Sequence, residues 1–292
     1  MSDAERYAAS LGCWSGPVTP ERLTGGISND NFLVDDNGRR FVVRVNGDVP
    51  EHGVLRRNDA TCNRAAAAAG VAPAVYHVAP RALVVDYIDS RTLSETDVRD
   101  DAMLARIVPV LKRTHREAFR LVRGPVSAFW PFRVCRDYAF FLEENNSRMV
   151  PRLASLRQQN EALEKAVGPI DLVLGHNDLL AANFLDDGNR LWLVDWEHAG
   201  FTSPLFDLAN LASNNDLSPA QQERLLESYF ELPVTDSLQH RFYAMSAASL
   251  LREAMWSMVS EITSTVAFDY VAYTENYLGR FDTAFNLLKE SS

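Results

Sequence analysis

"LVLGHNDLLAANFL", residues 172–185, stops being apolar at Gly175, presents His176, Asn177 and Asp178, and sets Asn183 five residues after the aspartate before apolar residues resume. A little further on, "LWLVDWEHAGF" (191–201) leaves a second apolar run at Asp195. Short apolar runs bounded by polar turns read as buried strands. Two loops leaving such strands, joined by a short hairpin, can converge on one point with three oxygen-bearing side chains, Asp178, Asn183 and Asp195. Phosphoryl transfer uses such a set: a carboxylate to orient a hydroxyl and take its proton, and hard oxygen ligands for Mg²⁺ at the nucleotide phosphates. Singly, each of these residues reads equally as a turn former bonding its own backbone. The spacing, followed by "VDWE", favours a site.

Around this core the chain changes texture. Residues 20–46 contain two β-rich runs, Phe32 to Val34 and Phe41 to Val45, flanking the turn "DDNG", which predicts a hairpin preceded by a glycine pair. "NDATCNRAAAAAGVAP" predicts a helix capped at Asn58 and stopped by Gly70 and Pro73. "ALVVDYI" (82–88) suits a buried strand. Beyond residue 90, helices are expected at about 97–119, 133–147, 151–167, 218–230 and 238–261, interrupted by the strands and loops of 171–201. The chain therefore divides near Asp86 into a small β-rich lobe, 1–86, and a large helical lobe, 87–292.

Composition narrows the function classes. Twenty-nine Lys and Arg against 39 Asp and Glu leave a formal charge of −10, which argues against a nucleic-acid footprint built from clustered cations. Cys13, Cys62 and Cys135 lie far apart, without the spacing of a zinc site or disulfide scaffold, and a reducing compartment is the natural reading. The first residues lack the apolar core of a signal peptide, and no run approaches the length of a membrane span. A cytoplasmic protein with no membrane partner is expected, monomer or homodimer.

"HNDLLAAN" (176–183) resembles the H-x-D-x-x-x-x-N catalytic loop of aminoglycoside phosphotransferases and choline kinases, and "LVDWE" (193–197) resembles their metal-binding D-x-E segment. The resemblance extends over nearly the whole chain. It implies an α+β, two-lobed protein-kinase-like fold that uses ATP and Mg²⁺, with Asp178 as catalytic base and Asn183 and Asp195 as metal ligands. His176 would hold the loop. Asp207, in "SPLFDLANL", matches the residue that buttresses the loop backbone in such kinases.

In the small lobe, "LTGGISNDNF" offers backbone N–H groups of Gly25, Gly26, Ser28 and Asn29 to phosphate oxygens, although ordinary hairpins use glycine pairs too. Arg44, a permanent charge in the apolar run "FVVRV", needs a partner or a route to water. The resemblance assigns it to the nucleotide phosphates, with Asp59 standing where relatives carry Glu. Asp59 reads equally as a first-turn residue favourable to the helix dipole. The backbone near Asp86 and Ile88 would meet the adenine.

The acceptor should be read by "LLREAMWSMVSEITSTVAFDYVAYTENYLGRF" (250–281), where Glu253, Trp256 and Ser257 share one helix surface and Tyr270 follows. Aromatic faces hold a quaternary ammonium well, though aromatics on helices also simply fill core. The segment looks like the C-terminal part of choline and ethanolamine kinases, with Trp256 and Tyr270 at aromatic-wall positions and Glu253 where eukaryotic choline kinases carry a further tryptophan. Glu197 either draws cations to this pocket or holds an arginine. The implied acceptor is a small amino alcohol, choline first and ethanolamine next. The alternatives are a kinase of another metabolite, such as an aminoglycoside or thiamine, and a catalytically silent kinase-like binding protein.

Overall fold

The computed structural model describes residues 1–23 and 30–290; the expected phosphate contacts of Gly25, Gly26, Ser28 and Asn29 lie outside them. After β1 (Glu21–Arg22), strands β2 (Asp30–Asp36) and β3 (Arg39–Val45) form the expected hairpin with Asp36 opposite Arg39. Between them Asn37 and Gly38 have φ of 57° and 84°, the two left-handed residues that let a two-residue turn follow the strands' twist. With β4 (Val75–Ala79) and β5 (Ala82–Asp86) they make an antiparallel sheet in the order β1-β2-β3-β5-β4.

One sheet face buries Phe32, Val34, Phe41, Val43 and Val84 against Ala4 and Ala8 of α1 (Asp3–Ala9), which Ser2 and Glu5 start with reciprocal capping bonds. The small lobe thus holds two helices rather than the one expected, because seven residues are too few for periodicity to declare a helix. The second, α2 (Arg56–Ala68), begins ahead of Asn58, so that residue is not its cap. Asn58 is buried instead, donating to the Ala199 carbonyl at 2.7 Å and accepting from the Ser127 N–H at 2.8 Å. Cys62, Ala65, Ala66 and Ala69 pack into the core of the helical part, so α2 joins sheet and helices.

The helical part opens with β6 (Arg91–Thr92) and α3 (Glu95–Val98). The single helix expected over 97–119 is instead α3, then α4 (Asp101–Arg113), a π turn over Thr114–Ala118, and α5 (Phe119–Leu121). Next come α6 (Pro131–Glu144) and α7 (Val150–Val167), then β7 (Val173–Gly175), β8 (Phe184–Asp186), β9 (Leu191–Leu193) and β10 (Gly200–Thr202). Helices α8 (Pro204–Asn214), α9 (Pro219–Phe230), α10 (Asp236–Thr263) and α11 (Tyr270–Glu290) finish the chain. Neither α8 nor α11 was expected; α8 is buried on nearly every face and so shows no polar stripe. Helix α10, 28 residues long, is buried all round through its middle and packs on α6, α7, α8 and α11. No helix among the described residues is long and apolar enough to cross a membrane.

Strand β7 pairs antiparallel with β10, and β8 with β9 and β6. Gly175 lies opposite Gly200, and both must be glycine for lack of room. A Cβ at Gly175 would sit 2.2 Å from Thr202 Cγ2, and one at Gly200 2.5 Å from the Ser127 carbonyl oxygen. Gly175→Ala is expected to destabilise the chain by about 1–3 kcal/mol through overpacking, read as a lower midpoint in urea unfolding at unchanged slope. An unchanged midpoint would show that Thr202 yields freely.

Candidate active site

The quoted stretch runs from β7 into a loop that its neighbours hold by the backbone. Asp207, fully buried on α8, accepts the N–H of His176 at 2.8 Å on Oδ2 and that of Asn177 at 2.7 Å on Oδ1. His115 Nε2–H donates to Oδ2 at 2.9 Å, and Tyr229 O–H, 2.7 Å away, donates to the other ring nitrogen. Burial alone would raise the Asp207 pKa, yet these bonds hold it below the ordinary carboxylate range. Asn177 takes φ of 67° and its amide donates to the His198 carbonyl at 3.0 Å. Asn210 then takes the Leu179 N–H at 2.6 Å, and Asn215 donates to the Leu179 carbonyl at 3.0 Å.

His176 is buried between the two loops. Its Nε2–H donates to the Val194 carbonyl at 2.8 Å and its Nδ1 accepts the Asp178 N–H at 3.3 Å, which fixes one neutral tautomer. Burial lowers its pKa further. Asn183 points its amide nitrogen at Asp178, 2.8 Å from the carbonyl and 3.3 Å from Oδ2, so Oδ1 is the end presented elsewhere. Val194 N–H donates to the Asn183 carbonyl at 3.0 Å, bringing Asp195 alongside. The structure therefore gathers Asp178, Asn183 and Asp195 at one place.

Above them lies an ion cluster. Arg44, on β3, bonds Asp195 Oδ1 and stands 3.7 Å from Asp59 and 3.5 Å from Glu197. Arg56, at the start of α2, reaches Asp59 at 3.2 Å and Glu197 at 3.0 Å. Two cations thus face three carboxylates, and Arg44 is shared rather than dedicated to Asp59. Of the two readings of Glu197 the structure shows the second: it is 5% exposed and engaged by both arginines. Burial pushes the Asp195 carboxyl up to about 6, Arg44 opposing and the neighbouring carboxylates adding. At the end of β5, Asp86 spends its N–H on the Ala74 carbonyl and its carboxylate on Arg39 at 2.7 Å; the Ile88 carbonyl accepts from Ser90.

On the other side of Asp178 stands α10. Glu253 accepts from the Tyr273 hydroxyl at 2.9 Å, and Arg252 Nη2 lies 2.6 Å from its other oxygen and 4.0 Å from Asp178 Oδ1. Trp256 meets Tyr270 and Tyr273 edge-on, with ring centres 6.0 and 6.2 Å apart. Tyr270 is buried against it, its hydroxyl bonded to Ser264 and its carbonyl to the Ser257 hydroxyl. His52, from the segment between β3 and α2, reaches across to Trp256 with ring centres 5.5 Å apart and shares hydrogen bonds with Tyr138 and Ser260. Burial lowers its pKa to about 3, His198 and Arg252 adding to the shift, which leaves a neutral ring near Trp256.

Arg56, Arg252, Tyr273 and His52 were not anticipated. For Arg252 a signal existed: the charged pair "RE" interrupts an otherwise apolar stretch of helix. His52 carried none, because its position depends on how a loop folds over a distant helix.

Among the described residues, no three His, Cys, Asp or Glu side chains are grouped to hold a metal by themselves. A magnesium ion that keeps water and borrows nucleotide phosphates needs only one or two protein oxygens. Asn183 Oδ1 and the Asp195 carboxylate fit that demand.

An antiparallel sheet with α2 packed on it, set against a helical body with a loop of this geometry between them, is the fold of the protein-kinase-like small-molecule phosphotransferases. A family model described as choline/ethanolamine kinase matches residues 21–223, and the chain belongs to that family. It is 29% identical to protein LicA of Haemophilus influenzae, over 93% of this chain and 80% of that protein. It is 26% identical to ethanolamine kinase 2 of Mus musculus, over 88% and 73%. The crystal structure of a choline/ethanolamine kinase family protein from Mesorhizobium loti superposes with a TM-score of 0.75 at 26% identity, covering 99% of this chain and 97% of that one.

Proposed function

We propose that this enzyme transfers the γ-phosphoryl group of ATP to the hydroxyl of a small amino alcohol, choline first and ethanolamine next. The observation that carries this reading is the placing of Asp178: clamped by its loop, bonded to Asn183, and set between an ion cluster and an aromatic wall. Residues 1–86 act as the nucleotide-binding lobe, with Arg44 toward the phosphates, Asp59 tethering it, and the backbone near Asp86 and Ile88 toward the adenine. Residues 87–292 supply the catalytic loop and acceptor pocket.

In this reading Asp178 orients the acceptor hydroxyl and takes its proton as the oxygen attacks phosphorus. Asn183 and Asp195 would hold Mg²⁺, which when bound neutralises charge on the nucleotide phosphates. His176 and Asp207 keep the loop in shape, so that Asp178 needs no rearrangement to act. Glu253, Trp256 and Tyr270 form the acceptor pocket. The carboxylate of Glu253 beside Trp256 also suits other cationic alcohols, which keeps an aminoglycoside or thiamine as the second reading.

A coupled ADP-release assay with Mg·ATP against choline, ethanolamine, the partly methylated intermediates, thiamine and an aminoglycoside tests both. Selective turnover of an amino alcohol supports the first reading; turnover of another alcohol moves it to the second. Trp256→Ala is expected to raise the KM for choline roughly tenfold, the worth of one partly desolvated cation–π contact, with little change in the KM for ATP. An unchanged choline KM would make Trp256 a packing residue.

A further inference from the structure

We propose that the guanidinium of Arg252 binds an oxygen of the phosphoryl group while that group passes from ATP to the acceptor. The proposal rests on the kinase reading above and adds a catalytic residue to it.

Arg252 sits where α10 is buried all round, and its side chain is 3% exposed. A buried guanidinium normally has its N–H groups matched, because each unmatched donor is costly. Here neither Nε nor Nη2 makes a hydrogen bond. Glu253 approaches Nη2 closely but off the N–H direction, so it balances charge without using the donor. Its other oxygen already accepts from Tyr273. The remaining neighbour is Asp178, with 4.0 Å from Nη2 to Oδ1: too far for a hydrogen bond, and close enough for both groups to touch one small anion.

Such an arrangement asks for an oxyanion beside Asp178. The surroundings make one expensive to bring, since Asp195, Glu197 and Glu253 all place negative charge beside Asp178. Arg44 and Arg56 are held in the ion cluster with Asp59, Asp195 and Glu197. Among the described residues, Arg252 is the cation that faces Asp178 from the acceptor side. The reaction brings an oxyanion to that point. As the acceptor oxygen bonds to phosphorus, the bond to the bridging β–γ oxygen breaks, ADP leaves with that electron pair, and the hydroxyl proton passes to Asp178. Negative charge on the equatorial oxygens then lies beside Asp178, and Nε and Nη2 donate to it. Arg252 keeps its own protons throughout. A planar, permanently charged fork suits this role better than an ammonium.

The test compares full-length wild type with Arg252→Met and Arg252→Lys in the ADP-release assay, with choline, ethanolamine and serine as acceptors. If wild type turns over no amino alcohol, the proposed function itself falls, and this inference with it. If it does, Arg252→Met is expected to lose about 100- to 1000-fold in kcat, the usual effect of removing a donor to transition-state charge. The acceptor KM should move less than threefold, and Arg252→Lys should recover part of the rate. Affinity for Mg·ADP alone should be unchanged, whereas affinity for Mg·ADP with aluminium fluoride, a mimic of the phosphoryl in flight, should fall at least tenfold. A kcat within threefold of wild type in both variants overturns the proposal. So does an equal loss for Mg·ADP with and without aluminium fluoride, which marks a structural arginine. A wild-type preference for serine over ethanolamine that vanishes in both variants also overturns it, because the donors then serve the acceptor's own carboxylate.

Discussion

Asp178→Ala is expected to lower turnover by about 10³- to 10⁴-fold, toward the upper range for removal of a general base, while leaving the fold intact. The loop does not depend on this carboxylate. Its backbone is held by Asp207, Asn210, Asn215 and His176, and among the described residues the side chain receives only the 3.3 Å bond from Asn183. Burial pushes the Asp178 carboxyl up to about 8, Arg252 opposing and Glu253, Asp195 and Glu197 adding to the rise. A base must be ionised to act, so kcat/KM should fall as pH drops below about 8. If Mg²⁺ sits at Asn183 and Asp195 as proposed, its charge would stabilise the nearby carboxylate, so the acid limb of kcat should lie lower. The same shift bears on stability. A carboxyl whose folded pKa is raised destabilises the fold once ionised, so above pH 8 the variant should melt no lower than wild type. A variant that keeps more than a tenth of wild-type turnover would remove Asp178 from the chemistry.

Asp207→Ala is expected to be the most damaging change to stability. The carboxylate accepts two loop N–H groups and the His115 ring in a site closed to water. Removing it strands all three donors, and breaking a buried charged network of this kind costs about 3–5 kcal/mol. In a chain of this size that corresponds to a fall in Tm of roughly 5–10 °C. Its folded pKa is depressed, so its contribution is present above the ordinary carboxylate range and lost as pH falls through the folded value. The gap in Tm between wild type and variant should therefore narrow on acidification. A gap below 2 °C at neutral pH would mean that the neighbouring asparagines hold the loop unaided.

How much could be read beforehand follows from what local patterns encode. The β2–β3 hairpin and the strands around the catalytic loop were legible because a turn pair and short apolar runs are local signals. Helix α8 was not, because burial on nearly all sides erases periodicity. Asn58 looked like a helix cap by residue type, yet its partners Ala199 and Ser127 lie far along the chain. At the site, spacing suggested Asp178, Asn183 and Asp195 as a set, and the resemblance supplied the role of each. Arg56 and Arg252 were missed, since the neighbours that give them a place at the site, Glu197 and Asp178, lie on distant segments. For Glu197 both readings, a cation lure or an arginine partner, were open in the sequence, and which arginines it meets was hidden for the same reason.

Helix α2 has a consequence for control. It carries Asp59 and Arg56 into the ion cluster, while its alanine face and Asn58 are locked into the helical part. Swinging it outward would expose apolar surface and leave buried polar atoms without partners. A conformational switch worked by displacing this helix is therefore energetically closed to the molecule. Any control over the molecule must therefore act somewhere other than through α2.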